Sequence, residues 1–328
     1  MTEQAPINSG FGRDTTAAEV IGDRDLSGVR ALVTGGYSGL GFETTKALVA
    51  AGADVVVPAR RPDHARNVLS ELDGLPGTIT VDELDLGDLD SVAAFAARLV
   101  AAGEPFDLII NNAAIMACPE TRVGPGWEAQ FATNHLGHYA LINQIWDLIA
   151  AGDGPGRGGR VVALSSTGHK LSPIRWDDVQ FESDYEKWQA YGQAKTANAL
   201  FAVELDRLGQ DVGVRTFAVH PGGIMTPLQR HLPREEMIAS GWMDEEGNVN
   251  ELFKSPEAGA STTVWAATSP QLDGAGGVYC EDCDIAAHTD SESPFARYLG
   301  VDDHAIDAGE AARLWALSAE LTGVNAFD

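Results

Sequence analysis

The sequence predicts an α/β fold, a doubly wound parallel sheet with helices on both faces. Three observations predict it: strand-length apolar runs alternate with helix-length segments, the runs are apolar throughout, and a glycine-rich turn follows the first of them. A strand covered on both faces loses the polar alternation that a one-sided sheet keeps. The pattern is therefore Rossmann-like rather than a sandwich.

Taken in order, residues 1–27 lack strong periodicity, end in the turn DLSG, and read as an N-terminal arm lying on or near the main domain. Residues 28–328 read as one domain, because α/β folds absorb such lengths around a single core. Arg30–Thr34 is the first strand, followed by the glycine turn and helical spacing through Gly41–Ala51. Further strands are expected near Asp54–Pro58, Thr78–Leu84, Phe106–Ile110, Arg160–Leu164 and Val212–Val219, with a last one near Gly277–Cys280. Helices are expected at Asp88–Ala102, Trp127–Ala151 and Tyr185–Leu208. The glycine-rich stretch 152–159 reads as a surface connection. Residues 226–256, which follow the sixth strand and include Met237, Trp242 and Met243, lie where a parallel sheet binds ligands. They read as a C-terminal substrate lid.

Composition narrows the partners. With 22 basic against 48 acidic residues the formal charge is −26, which repels nucleic acid and anionic membrane surfaces. No run approaches the ~20 apolar residues needed to span a bilayer, and the opening residues lack a signal-peptide core, so a cytoplasmic location is expected. The three cysteines, Cys118, Cys280 and Cys283, suit a reducing compartment better than a disulfide framework.

The turn Thr34–Gly41 places glycines where a strand passes into a helix, so backbone amides and the helix N-terminus can take a pyrophosphate. Gly35, Ser38, Gly39, Leu40 and Gly41 are the expected contacts. A dinucleotide site with ribose selectivity carries an acid near the end of the second strand. Here Ala59 stands there, followed by Arg60 and Arg61. Positive charge gathered in an acidic chain fits a 2′-phosphate, hence NADP(H) in preference to NAD(H). Tyr191 and Lys195, four apart in a helical segment, share one face. The nearby ammonium and a positive oxidised nicotinamide favour the phenolate, so Tyr191 is expected to exchange a proton with a substrate oxygen. Ser165 and Ser166 end a buried strand at the ligand edge, where a hydroxyl could reach the reacting oxygen. Asn112 and Ala113 follow another strand at that edge. Asn134, polar within an apolar helix, is expected to hold a water that serves Lys195.

These residues together resemble the short-chain dehydrogenase/reductase superfamily, in its single-domain branch, and are similar to bacterial relatives of retinol dehydrogenases and WW-domain-containing oxidoreductases. The motifs are T-G-x-x-x-G-x-G at Thr34–Gly41, Asp85-Leu86, Asn111–Ala114, NHLGH from Asn134, Ser166, Tyr191/Lys195, and Pro221-Gly222 with Thr226. The resemblance implies a catalytic tetrad of Asn134, Ser166, Tyr191 and Lys195. It also implies that Asp85 and Leu86 flank the adenine, Asn112 and Ala113 line the cofactor, Lys195 binds the ribose, and Ile224 to Thr226 meet the carboxamide. The activity implied is hydride transfer between NADP(H) and a carbonyl or secondary alcohol, with Tyr191 as general acid/base. The alternative is a non-catalytic dinucleotide-sensing regulator of the same fold. The substrate is expected to be partly apolar, and a homo-oligomer is possible by analogy.

Two further signals read as packing: His135 with His138, and Cys280 with Cys283, neither of which has the partners a metal site needs. Trp176, Trp188 and Trp242 are candidates for an apolar pocket wall.

Overall fold

The computed structural model describes residues 2–153 and 158–328; residues 154–157 of the glycine-rich connection lie outside the described residues. The chain begins with an arm whose short helix α1 (Ala17–Ile21) is closed by a capping box between Thr16 and Glu19. There follow β1 (Arg30–Val33), α2 (Gly39–Ala50), β2 (Asp54–Ala59), α3 (Pro62–Leu69), β3 (Thr78–Glu83), α4 (Leu89–Ala102) and β4 (Leu108–Asn111). A small hairpin, β5 (Arg122–Val123) and β6 (Trp127–Glu128), leads into α5 (Ala129–Phe131), a π-helical turn (Ala132–Leu136), α6 (Gly137–Gln144) and α7 (Trp146–Ala150). The second half runs β7 (Arg160–Leu164), α8 (Lys187–Gly209), β8 (Arg215–His220), α9 (Arg234–Ala239), α10 (Pro256–Gly259), α11 (Ser261–Thr268), β9 (Val278–Glu281), β10 (Asp284–Ile285) and α12 (Ala308–Thr322).

Eight strands form one sheet in the order β10-β9-β8-β7-β4-β1-β2-β3, parallel except for β10. Each central strand divides its side chains between two cores. Ala31, Val33, Val55, Val57, Leu108, Ile110, Val162 and Leu164 join α2 and α11 on one face. Leu32, Val56, Ile109, Val161 and Ala163 join α4, α6 and α8 on the other. Burying each such side chain contributes about 1.5–3 kcal/mol, which is why the apolar runs specify the sheet.

The helix ends follow from single residues. Asp88 accepts a hydrogen bond from the Asp90 amide to start α4, and Gly103, in the left-handed region, ends it. Glu186 caps α8 through the amides of Trp188 and Gln189. The long helix expected over Trp127–Ala151 is broken. Trp127 and Glu128 pair with the preceding strand, a π turn holds Asn134, and α6 stops at Ile145 before α7 resumes. The arm lies against β9 and β10: Gln4 exchanges hydrogen bonds with Tyr279 and bonds Ala286, and Asp284 accepts from the amides of Ile7 and Ser9. At the other end of the chain α12 packs on α8, with Trp315 stacked on Phe201 at 5.8 Å.

Candidate active site

Because β1, β2, β4, β7 and β8 are parallel, the residues that follow them emerge at one edge and enclose a cleft of about 1350 Å³. Gly35, Ser38, Gly39 and Leu40 come after β1, Arg60 and Arg61 after β2, Asp85 and Leu86 after β3, and Asn112 and Ala113 after β4. Ser166 comes after β7, and Ile224 and Thr226 after β8; Tyr191 and Lys195 enter from α8.

Two expected site residues do not line the cleft. Gly41 packs behind the turn, where a Cβ would stand 2.4 Å from the Gly35 carbonyl oxygen and 2.5 Å from Asn112 Nδ2. It permits close packing rather than contact with a ligand. Asn134 spends its amide on Ile115: Oδ1 accepts the Ile115 N–H at 2.9 Å and Nδ2 donates to the Ile115 carbonyl at 2.9 Å. These two bonds show where the side-chain amide is anchored, and the expected water serving Lys195 remains a proposal. The amide braces a cleft-wall residue, and the π turn presents it there.

The floor of the phosphate turn is knitted by Thr34. Its hydroxyl accepts from the amides of Asn112 (2.9 Å) and Ala113 (3.0 Å), and Asn112 Nδ2 donates to the Thr34 carbonyl at 2.8 Å. His138 completes the knot, with Nδ1 at 2.9 Å from the Asn134 carbonyl and Nε2 at 2.9 Å from the Thr34 hydroxyl. Burial pushes the imidazole down to about 4, so it is neutral, donating from Nδ1 and accepting at Nε2. His135 meets Ser318 at 2.7 Å. Both histidines are packing residues. Cys280 and Cys283 are buried free thiols, Cys283 lying against Ser261 and Thr262. Among the described residues, no three His, Cys, Asp or Glu side chains gather as metal ligands.

At the centre, the Ser166 hydroxyl accepts the Gly168 N–H at 3.0 Å, which leaves its own proton free for a neighbouring oxygen. Ser165 instead donates to the Lys195 carbonyl at 2.7 Å and joins β7 to α8. Tyr191 is buried beside Ser166. Its phenol is pushed up to about 12 by burial, against the lowering effect of a hydrogen bond with Ser166. Lys195 lies with Nζ 5.6 Å from the Tyr191 ring centre, and donates to the Leu164 carbonyl at 2.8 Å. Burial draws its amine down to about 7. In the dinucleotide-free chain burial thus keeps the phenol protonated; the expected lowering relied on the oxidised nicotinamide as well as on the Lys195 ammonium.

The cleft has further walls that the motif spacing did not single out. Gly168 approaches the Tyr191 ring so closely that a Cβ would stand 2.8 Å from Cε1. His220, pushed down to about 3 by burial, and Lys254, paired with Asp282 at 2.5 Å, border the cleft beyond β8. The signals present were HPG after the sixth strand for His220, and for Gly168 its place after the serine pair at the strand end. Over Tyr191 lies the segment that begins at Thr226. Leu232 packs with Met116, Ala117 and Tyr191, and Trp188 meets Trp242 edge-on at 5.8 Å. Trp176 is elsewhere, donating to Glu310 on α12 at 2.6 Å.

The geometry defines a dinucleotide-type cleft with a phenol, a hydroxyl and an amine at its base, the arrangement of a nicotinamide-dependent oxidoreductase. The short chain dehydrogenase family model matches residues 30–237, and the chain belongs to that family. A relative from Streptomyces antibioticus named "Probable oxidoreductase" is 45% identical over 298 residues, 89% of this chain and 96% of its own. Retinol dehydrogenase 14 of Mus musculus is 33% identical, covering 91% of this chain and 87% of its own. The crystal structure of an uncharacterized protein from Mycobacterium Paratuberculosis superposes with a TM-score of 0.71 at 31% identity, over 96% of this chain and 99% of that one. Among the described residues, no helix is long and apolar enough to cross a membrane.

Proposed function

We propose that this short-chain dehydrogenase transfers a hydride between NADP(H) and a carbonyl or secondary-alcohol substrate, with Tyr191 as the proton-exchanging group. The observation that carries the reading is the meeting, in one cleft, of the Tyr191–Ser166 pair with the glycine turn and Arg60 and Arg61. The residues fit the cofactor: the turn offers amides at a helix start, and neither arginine has a carboxylate partner among the described residues.

When bound, the nicotinamide supplies or accepts the hydride, and its oxidised ring adds positive charge. Tyr191, a neutral acid at pH 7, donates its proton to the carbonyl oxygen in the reducing direction. Ser166 donates a second hydrogen bond to that oxygen, since its acceptor side is held by Gly168. Lys195, anchored on the Leu164 carbonyl, has further N–H donors for the ribose hydroxyls and for returning a proton to the phenol. Asn134 acts by positioning Ile115. Residues 226–256 serve as the substrate lid, and the apolar surface of Leu228, Trp242 and Phe253 suits a partly apolar substrate.

The test is a panel of aldehydes, ketones and secondary alcohols assayed with both cofactors. Turnover is expected with NADPH, falling by at least about a thousandfold in Tyr191→Phe while the dinucleotide still binds. Binding without turnover on any substrate would support a dinucleotide sensor instead.

A further inference from the structure

The excursion between Ile224 and Lys254 is a flap whose two roots are joined. These residues form a parallel bridge, and the Lys254 amide donates to the Gly223 carbonyl at 2.8 Å. Between the roots only Leu232 is buried. The remaining holds are the partly buried Leu228, Met237 and Trp242 and a few polar contacts: Glu236 accepts from Lys187 (2.6 Å) and Trp188 (2.8 Å), and Arg13 donates to the Glu251 carbonyl at 2.9 Å. A segment with so little buried apolar surface opens at low free-energy cost.

Arg230 sits on the short 3₁₀ helix Pro227–His231, which Thr226 caps. That cap roofs the phosphate turn, since a Cβ on Gly39 would stand 3.2 Å from Thr226 Cβ. Arg230 therefore borders the same cleft as Arg60 and Arg61, reaching it from a different part of the chain. Among the described residues its one side-chain hydrogen bond is local, from Nη1 to the Pro227 carbonyl at 3.2 Å. Among the described residues none of the three guanidiniums pairs with a carboxylate, in a chain carrying 48 acidic residues. Arg60 and Arg230 are close enough for repulsion between them to act, together with burial, in lowering the Arg230 pKa. Bare cations bordering one opening form a receptor for a doubly charged anion.

We propose that Arg230 is a third ligand of the cofactor's 2′-phosphate, delivered by the flap, so that the group distinguishing NADP(H) from NAD(H) also draws the flap over Tyr191. The proposal rests on the reading that Arg60 and Arg61 receive that phosphate. It adds a coupling that the strand-end arginines alone do not supply: cofactor identity controls closure of the substrate site.

Calorimetric titration with 2′,5′-ADP and 5′-ADP, on wild type, Arg230→Ala and Arg60→Ala, separates the cases. Arg230→Ala is expected to weaken 2′,5′-ADP by about tenfold or more while leaving 5′-ADP within about twofold. Hydrogen exchange across residues 225–253 is expected to slow more with saturating NADP⁺ than with NAD⁺, a difference lost in Arg230→Ala. A 2′-phosphate preference abolished by Arg60→Ala but intact in Arg230→Ala would overturn this proposal and leave the cofactor reading standing. Equal weakening of both ligands would move Arg230 to the pyrophosphate and overturn it too. No 2′-phosphate preference in wild type would remove the underlying cofactor reading itself.

Discussion

Replacing Gly168 with alanine tests the phenol's placement without touching the phenol. Gly168 does not occupy the left-handed region, so alanine brings no backbone strain. Its methyl group would stand 2.8 Å from Tyr191 Cε1, 3.0 Å from Cδ1 and 3.4 Å from Ser166 Oγ. Carbon atoms rest at about 3.5–4.0 Å, so the ring must recede by roughly 0.7 Å. It has little room, being packed among Met116, Ala117 and Leu232 with Trp188 edge-on. Overpacking of this kind costs about 1–3 kcal/mol, and melting should fall by several degrees. Misplacing a reacting group by about 1 Å costs on the order of a hundredfold in rate. Gly168→Ala should thus lower kcat by roughly ten- to a hundredfold. The atoms nearest the new methyl group belong to Tyr191 and Ser166 rather than to the phosphate turn or Arg60, so the dinucleotide Kd should stay within about twofold. Steady-state turnover, NADPH titration and a thermal melt read the three quantities. A lowered melting point with wild-type kcat would show that the ring had moved without consequence, and Tyr191 would lose its role as proton donor.

Two other outcomes follow from the site. Asn134→Ala leaves the Ile115 N–H and carbonyl without their partners, a loss of about 1–3 kcal/mol each. Because Ile115 lines the cleft, melting temperature and cofactor affinity should fall together. A drop in kcat alone, with Kd and melting unchanged, would favour the water-relay role instead. The second concerns pH. The Lys195 amine is drawn down to about 7 from an ordinary value near 10.5, so between these the unfolded chain binds more protons and stability rises with pH. The penalty is fully present below pH 7. Lys195→Met should remove this contribution, making its stability profile in dinucleotide-free protein flatter than wild type by up to about 1.4 kcal/mol per pH unit across that window. Tyr191, raised to about 12, contributes only above pH 10 and does not mask the difference. Parallel profiles from denaturant unfolding at several pH values would show that Lys195 is not desolvated.

The sheet was legible because a doubly covered strand announces itself by composition. Arg160–Leu164 was located to the residue, while the strand expected from Val212 begins at Arg215, because Gln210–Val212 form a 3₁₀ turn first. Elements whose definition depends on packing partners were less visible. The five-residue α1 depends on packing against α11 as well as on its capping box. The break after Trp127 depends on pairing with Arg122 and Val123, two residues that carry no strand signal alone. Within the site, spacing located the groups that meet at strand ends. It did not foresee that Gly41 would lie behind the turn, or that Asn134 would face Ile115, since both are matters of which side of a short element faces the cleft.

The protonation states were the least legible feature, for a physical reason. A four-residue spacing places an amine near a phenol, and the pair in isolation suggests mutual stabilisation of charge. Whether it occurs depends on water. Leu232, Met116 and Ala117 exclude solvent from Tyr191, and Lys195 is itself buried with its amine donating to the Leu164 carbonyl, so burial raises one group and lowers the other. Both shifts favour the neutral forms, so the residues alone hold the phenol as an acid. That state suits proton donation to a carbonyl. The reverse reaction needs the phenolate, which the positive charge of an oxidised nicotinamide would favour together with Lys195. The packing that excludes water from the phenol thus also makes the site's proton affinity depend on what occupies the cleft.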